Sequence, residues 1–149
     1  MDQKHLLVLG AGPGGYAAAF LAADMGMKVT LVDSDPNLGG VCLNRGCIPS
    51  KALLHIAKLI NEAHEAKGWG LDFGEPKIDL EKLKSWKNDV VQKMTGGLMT
   101  LSKQRGVTLI QGRGVFLDSH NLEISGKEKI SFDHCILATG SRPVIPEIF

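Results

Sequence analysis

Aromatic side chains are scarce in this chain, 5% of 149 residues, and neither sign of charge predominates, with 17 basic residues against 16 acidic ones. The charges are interspersed, so there is no basic footprint for nucleic acid and none for an anionic membrane surface. Internal repeats and low-complexity segments are lacking. No secretory leader is expected, because Met1-Asp2-Gln3-Lys4 leads straight into an apolar run. Cysteines number three, an odd count, and the chain reads as cytoplasmic, where a persistent disulfide is usually catalytic. Charge is absent for eighteen residues, Leu6 to Ala23, the minimum for a spanning helix. Glycines at 10, 12, 14 and 15 and Pro13 break that window, and alanines fill much of the rest. A strand, a turn and a buried helix account for it, so no membrane segment is expected. His55 and His64 lack partners at metal-ligand spacing, so no metal site is expected and both read as surface or packing residues. The length is that of one domain, enough to bury a core.

Glycine, by contrast, is plentiful, at 18 residues. His5–Leu9 is an apolar run that fits a strand buried on both faces. It enters Gly10-Ala11-Gly12-Pro13-Gly14-Gly15, followed by an alanine-rich helix from Gly14 to Met25. Lys28–Val32 is the next strand and ends on Asp33. Strand, G-x-G-x-x-G, helix, strand and acid together make the dinucleotide fingerprint. Gly10 permits the tight turn, and Gly12 lets backbone approach a pyrophosphate. Gly15 lets helix and strand pack closely, while the helix N-terminus faces the phosphates. Asp33 suits ribose hydroxyls, and its charge argues against a 2′-phosphate. A glycine-rich structural turn is the bland alternative, disfavoured by the flanking strands and the acid.

The chain is organised around Gly39 to His55, GGVCLNRGCIPSKALLH. Cys42 and Cys47 are five apart, with Lys51 one turn beyond the second. In a regular helix five residues would separate the two Cα atoms by roughly 8–9 Å. A relaxed disulfide wants about 4.4–6.8 Å. Bonding the pair therefore needs a deformed first turn, which Gly46 permits and Pro49, lacking an N–H, anticipates. A distorted disulfide is the more reducible kind. Cys47 near a helix start and Lys51 at i+4 both favour a thiolate. Two free, partly buried thiols are the other reading.

The cysteine helix continues through Ala52–Ala66, with Leu53, Leu54, Ala57, Leu59 and Ile60 on a wide stripe. Residues 67–76 form a turn-rich loop in which Trp69 reads as a packing anchor. Asp79 suits the cap of a second long helix, Leu80 to about Gln104, where Gly96-Gly97 suggests a kink or a close helix contact. Val107–Gln111, Gly114–Leu117, Leu122–Ser125 and Lys129–Phe132 read as short antiparallel segments, with turns at Asp118–Asn121 and Gly126–Glu128. His134–Ala138 is a second apolar strand, with Cys135 as a core residue, and it runs into Thr139-Gly140-Ser141-Arg142-Pro143. The expected fold is α/β and Rossmann-like: a central parallel sheet, flanking helices and a small antiparallel β-meander.

GAGPGG at 10–15, GGVCLNRGCIPSK at 39–51, GRGVF at 112–116 and ATGSRP at 138–143 carry a resemblance over essentially the whole chain. It resembles the N-terminal part of the flavin-dependent pyridine-nucleotide disulfide oxidoreductases. Leu43-Asn44 and Ser50-Lys51-Ala52-Leu53-Leu54 are most similar to the dihydrolipoyl dehydrogenase branch. Glutathione-type and mercuric-type reductases have comparable loops and stand as alternatives. Asp33 replaces the more usual Glu and keeps the carboxylate. Arg45 stands where the family is frequently apolar.

The resemblance implies FAD as the dinucleotide, held by Gly10, Gly12, Pro13, Gly14, Gly15 and Asp33 together with Gly39, Gly40, Val41 and Cys42. It implies Cys42 as the interchange thiol, Cys47 as the flavin-proximal thiol and Lys51 beside the flavin, stabilising its reduced form. Gly114 would meet the adenosine end, and Thr139, Gly140 and Ser141 would close the flavin site. NAD would be bound by a domain outside residues 1–149, as would the rest of the FAD domain and a dimerisation domain bearing a His–Glu pair. The parent enzyme would be a homodimer that oxidises dihydrolipoamide on the acyltransferase of a 2-oxo acid dehydrogenase complex. Residues 1–149 would then be the N-terminal part of a discontinuous FAD-binding domain, inactive alone. A non-catalytic nucleotide-binding module is the reading from a different functional class.

Overall fold

The computed structural model describes residues 3–126, 128–146 and 148. Lys127, inside the expected Gly126–Glu128 turn, and residues 1, 2, 147 and 149 lie outside the described set. Four parallel strands form the central sheet in the order β3-β2-β1-β7. They are β1 (His5–Leu9), β2 (Lys28–Asp33), β3 (Thr108–Gln111) and β7 (His134–Leu137). β1 is central, and its three middle residues are buried. Their alternation divides the core in two. Leu6 and Val8 join Val29 and Leu31 of β2 against α1 (Pro13–Asp24), whose Gly15, Ala19 and Ala22 are small enough for close approach. Leu7 and Val32 face the other way and meet a three-stranded antiparallel sheet.

That second sheet is β4 (Gly114–Phe116), β5 (Asn121–Ile124) and β6 (Glu128–Ser131), in sequence order. Leu122, Ile124, Ile130 and Phe132 supply its buried face. The layers are therefore helices, parallel sheet and meander, a Rossmann-like α/β architecture.

One assignment needs correction. The segment expected as the first antiparallel strand, Val107–Gln111, instead pairs parallel with β2, Leu109 opposite Leu31 and Ile110 opposite Val32. The reason is tertiary: a long helix returns the chain to the end of the sheet where β2 begins, and Ile110 there extends the meander-side core. β7 is an edge strand, so despite its apolar sequence Leu137 is 66% exposed and Cys135 is only half-buried, packed at the margin of the second core cluster. The desolvation that half-burial imposes still raises the Cys135 thiol above its ordinary pKa.

The cysteine segment is two helices rather than one. α2 (Gly40–Arg45) ends at Gly46, and α3 (Cys47–Glu65) starts directly after it. Gly46 adopts φ −127° and ψ −109°, a break with no helical continuity. Residues 66–69 form a single 3₁₀ turn, and Trp69, expected as a packing anchor, is exposed. His55 lies exposed on α3. α4 (Leu80–Gln104) begins at Asp79, which caps it by accepting from the Lys82 N–H. It runs unbroken through Gly96-Gly97, and nothing comes within 4 Å of the position a Cβ would take at either glycine. The expected close helix contact is absent there.

Candidate functional site

The parallel strands deliver their carboxyl ends to one edge of the sheet, and the chain's glycine loops gather along it. β1 ends in the turn at Gly10, whose φ of +104° suits glycine and whose missing side chain lets the Ala138 carbonyl pass where a Cβ would stand. Gly15 is buried against that turn; a Cβ there would sit 1.7 Å from the Gly10 carbonyl oxygen, so helix α1 can reach the strand only without one. Gly12, the N-cap of α1, is different. Its backbone is extended, no side chain caps the helix, and the position of its absent Cβ is open space. The first amides of α1 are thus left for an outside acceptor.

Two adjoining cavities line this edge. The larger, about 910 Å³, is walled by Gly12, Pro13 and Gly14, by Asp33 to Pro36, by Gly40, Val41, Cys42 and Arg45, and by Ala138 to Arg142. The smaller, about 460 Å³, shares Asp33, Ser34, Thr139 and Arg142 and adds Gly10 and the segment Gly112 to Gly114. Together they form one groove, with Cys42 in the first chamber and Gly114 in the second. Of the sequence-selected residues, Gly10, Gly12, Pro13, Gly14, Asp33, Gly40, Val41, Cys42, Gly114, Thr139, Gly140 and Ser141 reach its walls. Gly15 and Gly39 lie beneath it: Gly39 is buried at φ +106°, and its N–H donates to the Ala11 carbonyl at 2.8 Å. Gly114 lines the groove, but its lack of a side chain also has a packing cause, because a Cβ would stand 2.8 Å from Leu122 and 3.0 Å from Leu9.

Asp33 does more than face the groove. One carboxylate oxygen accepts from the Ala11 N–H at 2.6 Å and the other from the Asp35 N–H at 2.8 Å. It therefore fixes both the glycine turn and the loop after β2. Each oxygen keeps a further lone pair for a hydroxyl donor. Ser34, Arg113 and Arg142 also line the groove; the two arginines fall inside the GRGVF and ATGSRP segments, which by themselves assign them no site role. No spacing rule marks them; the loops that carry them meet only in the folded chain. Arg45 reaches back to Asp35, its Nη2 3.3 Å from Oδ2, tying the end of α2 to the β2 loop.

Cys42, Cys47 and Cys135 are free thiols. Cys42, half-buried, stands in α2 before the Gly46 break, and Cys47 opens α3 directly after it. The Cys42 pKa is raised above the ordinary thiol value, first by the thiol–thiol hydrogen bond and then by desolvation, while the Cys47 N–H and the Lys51 charge oppose the shift. Cys47 and Lys51 themselves are exposed at the start of α3 and are not among the groove-lining residues.

The sequence profile of the pyridine nucleotide-disulphide oxidoreductases matches residues 4–148. The chain belongs to that family. Dihydrolipoyl dehydrogenases from Vibrio cholerae serotype O1 and Haemophilus influenzae are 48% and 50% identical to it, each over 95% of this chain and 30% of their own length. One from the archaeon Haloferax volcanii is 48% identical over 94% of the chain. Among solved structures, the HOCl-induced flavoprotein disulfide reductase of Escherichia coli superimposes with a TM-score of 0.78 at 26% identity, over 96% of this chain and 29% of that one. The chain thus spans about 30% of the length of the curated relatives it matches. Among the described residues no helix is long and apolar enough to cross a membrane, and no cluster of three or more His, Cys, Asp or Glu side chains could hold a metal ion.

Proposed function

We propose that the groove takes FAD and that residues 1–149 are the N-terminal, disulfide-bearing part of a discontinuous FAD domain in a dihydrolipoyl dehydrogenase. The observation that carries this reading is the placement of Cys42 on the wall of the same groove that the uncapped start of α1 and the Asp33 carboxylate line. The residues fit the cofactor's chemistry. The α1 amides around open Gly12 suit the pyrophosphate, the spare lone pairs of Asp33 suit ribose hydroxyls, and the chamber bounded by Gly112 and Gly114 suits a flat base.

Cys42 and Cys47 carry the exchange chemistry. A dihydrolipoyl thiolate attacks the Cys42 sulfur of the Cys42–Cys47 disulfide and Cys47 leaves; the second substrate thiol then displaces Cys42 from the mixed disulfide. In the balanced step the Cys42–Cys47 disulfide opens to two thiols while the substrate dithiol closes to its cyclic disulfide. FAD, when bound, supplies the two-electron chemistry linking that pair to NAD. Lys51 places a cation one turn beyond Cys47, and its charge opposes the upward shift of the Cys42 thiol. Electron delivery to NAD, the acyltransferase-borne substrate of a 2-oxo acid dehydrogenase complex and homodimerisation would belong to the whole enzyme.

In the full-length enzyme, Cys47→Ser should abolish NAD-linked dihydrolipoamide oxidation, and retained activity would refute the assignment. The 149-residue chain, its groove open to solvent, should lose FAD on gel filtration. A stoichiometrically yellow protein would contradict weak binding without touching the cysteine chemistry.

A further inference from the structure

The anchor of the cysteine helix lies outside the groove, in α4. Six-residue α2 is too short to persist on its own. Its N-cap, Gly39, offers no side chain, so something else must fix the element that carries Cys42. Asn44 does so with three hydrogen bonds. Its amide nitrogen donates to the Leu38 carbonyl at 3.1 Å and the Gly40 carbonyl at 3.0 Å. Its amide oxygen accepts from the Thr95 hydroxyl at 3.4 Å. Thr95 and Ser102 are the buried residues of α4, a helix whose other side chains are exposed or half-buried. The Thr95 hydroxyl also departs from the helix habit. Thr100 and Ser102, on the same helix, bond back to the carbonyls of Gly96 and Leu98 four residues earlier. Thr95 turns outward to Asn44 instead.

We propose that the Thr95–Asn44 pair positions the Cys42–Cys47 couple, holding α2 against α4 so that the two thiols meet across the Gly46 break. The idea rests on the redox role proposed for that couple. Both act through the placement of α2. Disulfide formation in a short segment depends on how often the two sulfurs meet, so a loosened α2 lowers their effective concentration and disfavours the oxidised state. The same network reaches the nucleotide turn, because Gly40, whose carbonyl Asn44 holds, lies against Gly12.

The test is the thiol–disulfide equilibrium of the full 149-residue chain in glutathione buffers without FAD, in a Cys135→Ala background. Each turnover converts one glutathione disulfide to two glutathione thiols as the Cys42 and Cys47 thiols become one disulfide. Thr95→Val removes the hydroxyl at constant volume and should lower the equilibrium constant roughly threefold to tenfold, the worth of one hydrogen bond. Thr95→Ser should restore it, and Asn44→Ala should lower it at least as far. Thr100→Val, which removes a hydroxyl bonded only within α4, should leave it unchanged. If Thr95→Val does not fold, Thr95→Ala is read in its place. An equilibrium unmoved by the Thr95 change, or moved equally by Thr100→Val, overturns the positioning role while leaving the redox reading intact. A parent chain that forms no Cys42–Cys47 disulfide at all overturns both.

Discussion

Gly40 lies directly on Gly12: a Cβ built on Gly40 would stand 2.7 Å from the Gly12 Cα. The two residues stand at different helix starts, Gly40 as the first residue of α2 and Gly12 as the N-cap of α1. Their contact brings Cys42 to the groove. Gly40 also has φ +59°, a conformation that side chains disfavour. Gly40→Ala should therefore separate the two helix starts and lower stability by about 2–4 kcal/mol, measurable by urea denaturation.

The fingerprint glycines should behave oppositely. Gly15→Ala places a Cβ 1.7 Å from the Gly10 carbonyl oxygen and should leave no stable folded protein. Gly12→Ala meets only open space at an extended backbone, so its stability should stay within about 0.5 kcal/mol of the parent chain. If the groove takes FAD, Gly12→Ala should nevertheless weaken FAD binding tenfold or more in a flavin-fluorescence titration, because the new methyl occupies the space the pyrophosphate would take.

Alkylation of Cys42 should report its neighbours. The Cys47 thiol raises the Cys42 pKa, so Cys47→Ala should move the onset of iodoacetamide reaction at Cys42 to lower pH. Lys51 lowers it, so Lys51→Gln should move the onset upward. A raised thiol pKa favours the protonated folded state. The stability it contributes is complete below the unfolded value of 9.0 and is lost as pH rises through the folded value.

Asp133 ties the start of β1 to the start of β7. Its carboxylate accepts from the His5 N–H at 2.8 Å and pairs with Lys4 at 2.9 Å, and in that order these contacts hold its pKa below the usual carboxylate value. Its stabilisation is present above the unfolded value of 3.8 and is lost as pH falls through the folded value. Asp133→Asn should lower the Tm at neutral pH, with the difference shrinking below about pH 3.8. A pH-independent difference would show that the charge is not what matters.

Local pattern determined much of this protein. The alternating faces of His5–Leu9, the glycine turn with Asp33 at the next strand end, the helix break permitted by Gly46 and the Asp79 cap all follow from residues close in sequence, where backbone sterics and hydrogen bonding act over a few positions. Tertiary structure decided the rest. Val107–Gln111 is strand-like in any sheet, and only the return of α4 makes it parallel to β2. Apolar β7 and Trp69 are exposed because burial depends on which neighbour covers a residue, not on its own hydropathy. The joining of Ser34, Arg113 and Arg142 to one groove, and the reach of Thr95 to Asn44 across 51 positions, have no periodic signature. Such contacts between separate elements exist only once the sheet has fixed where each loop ends.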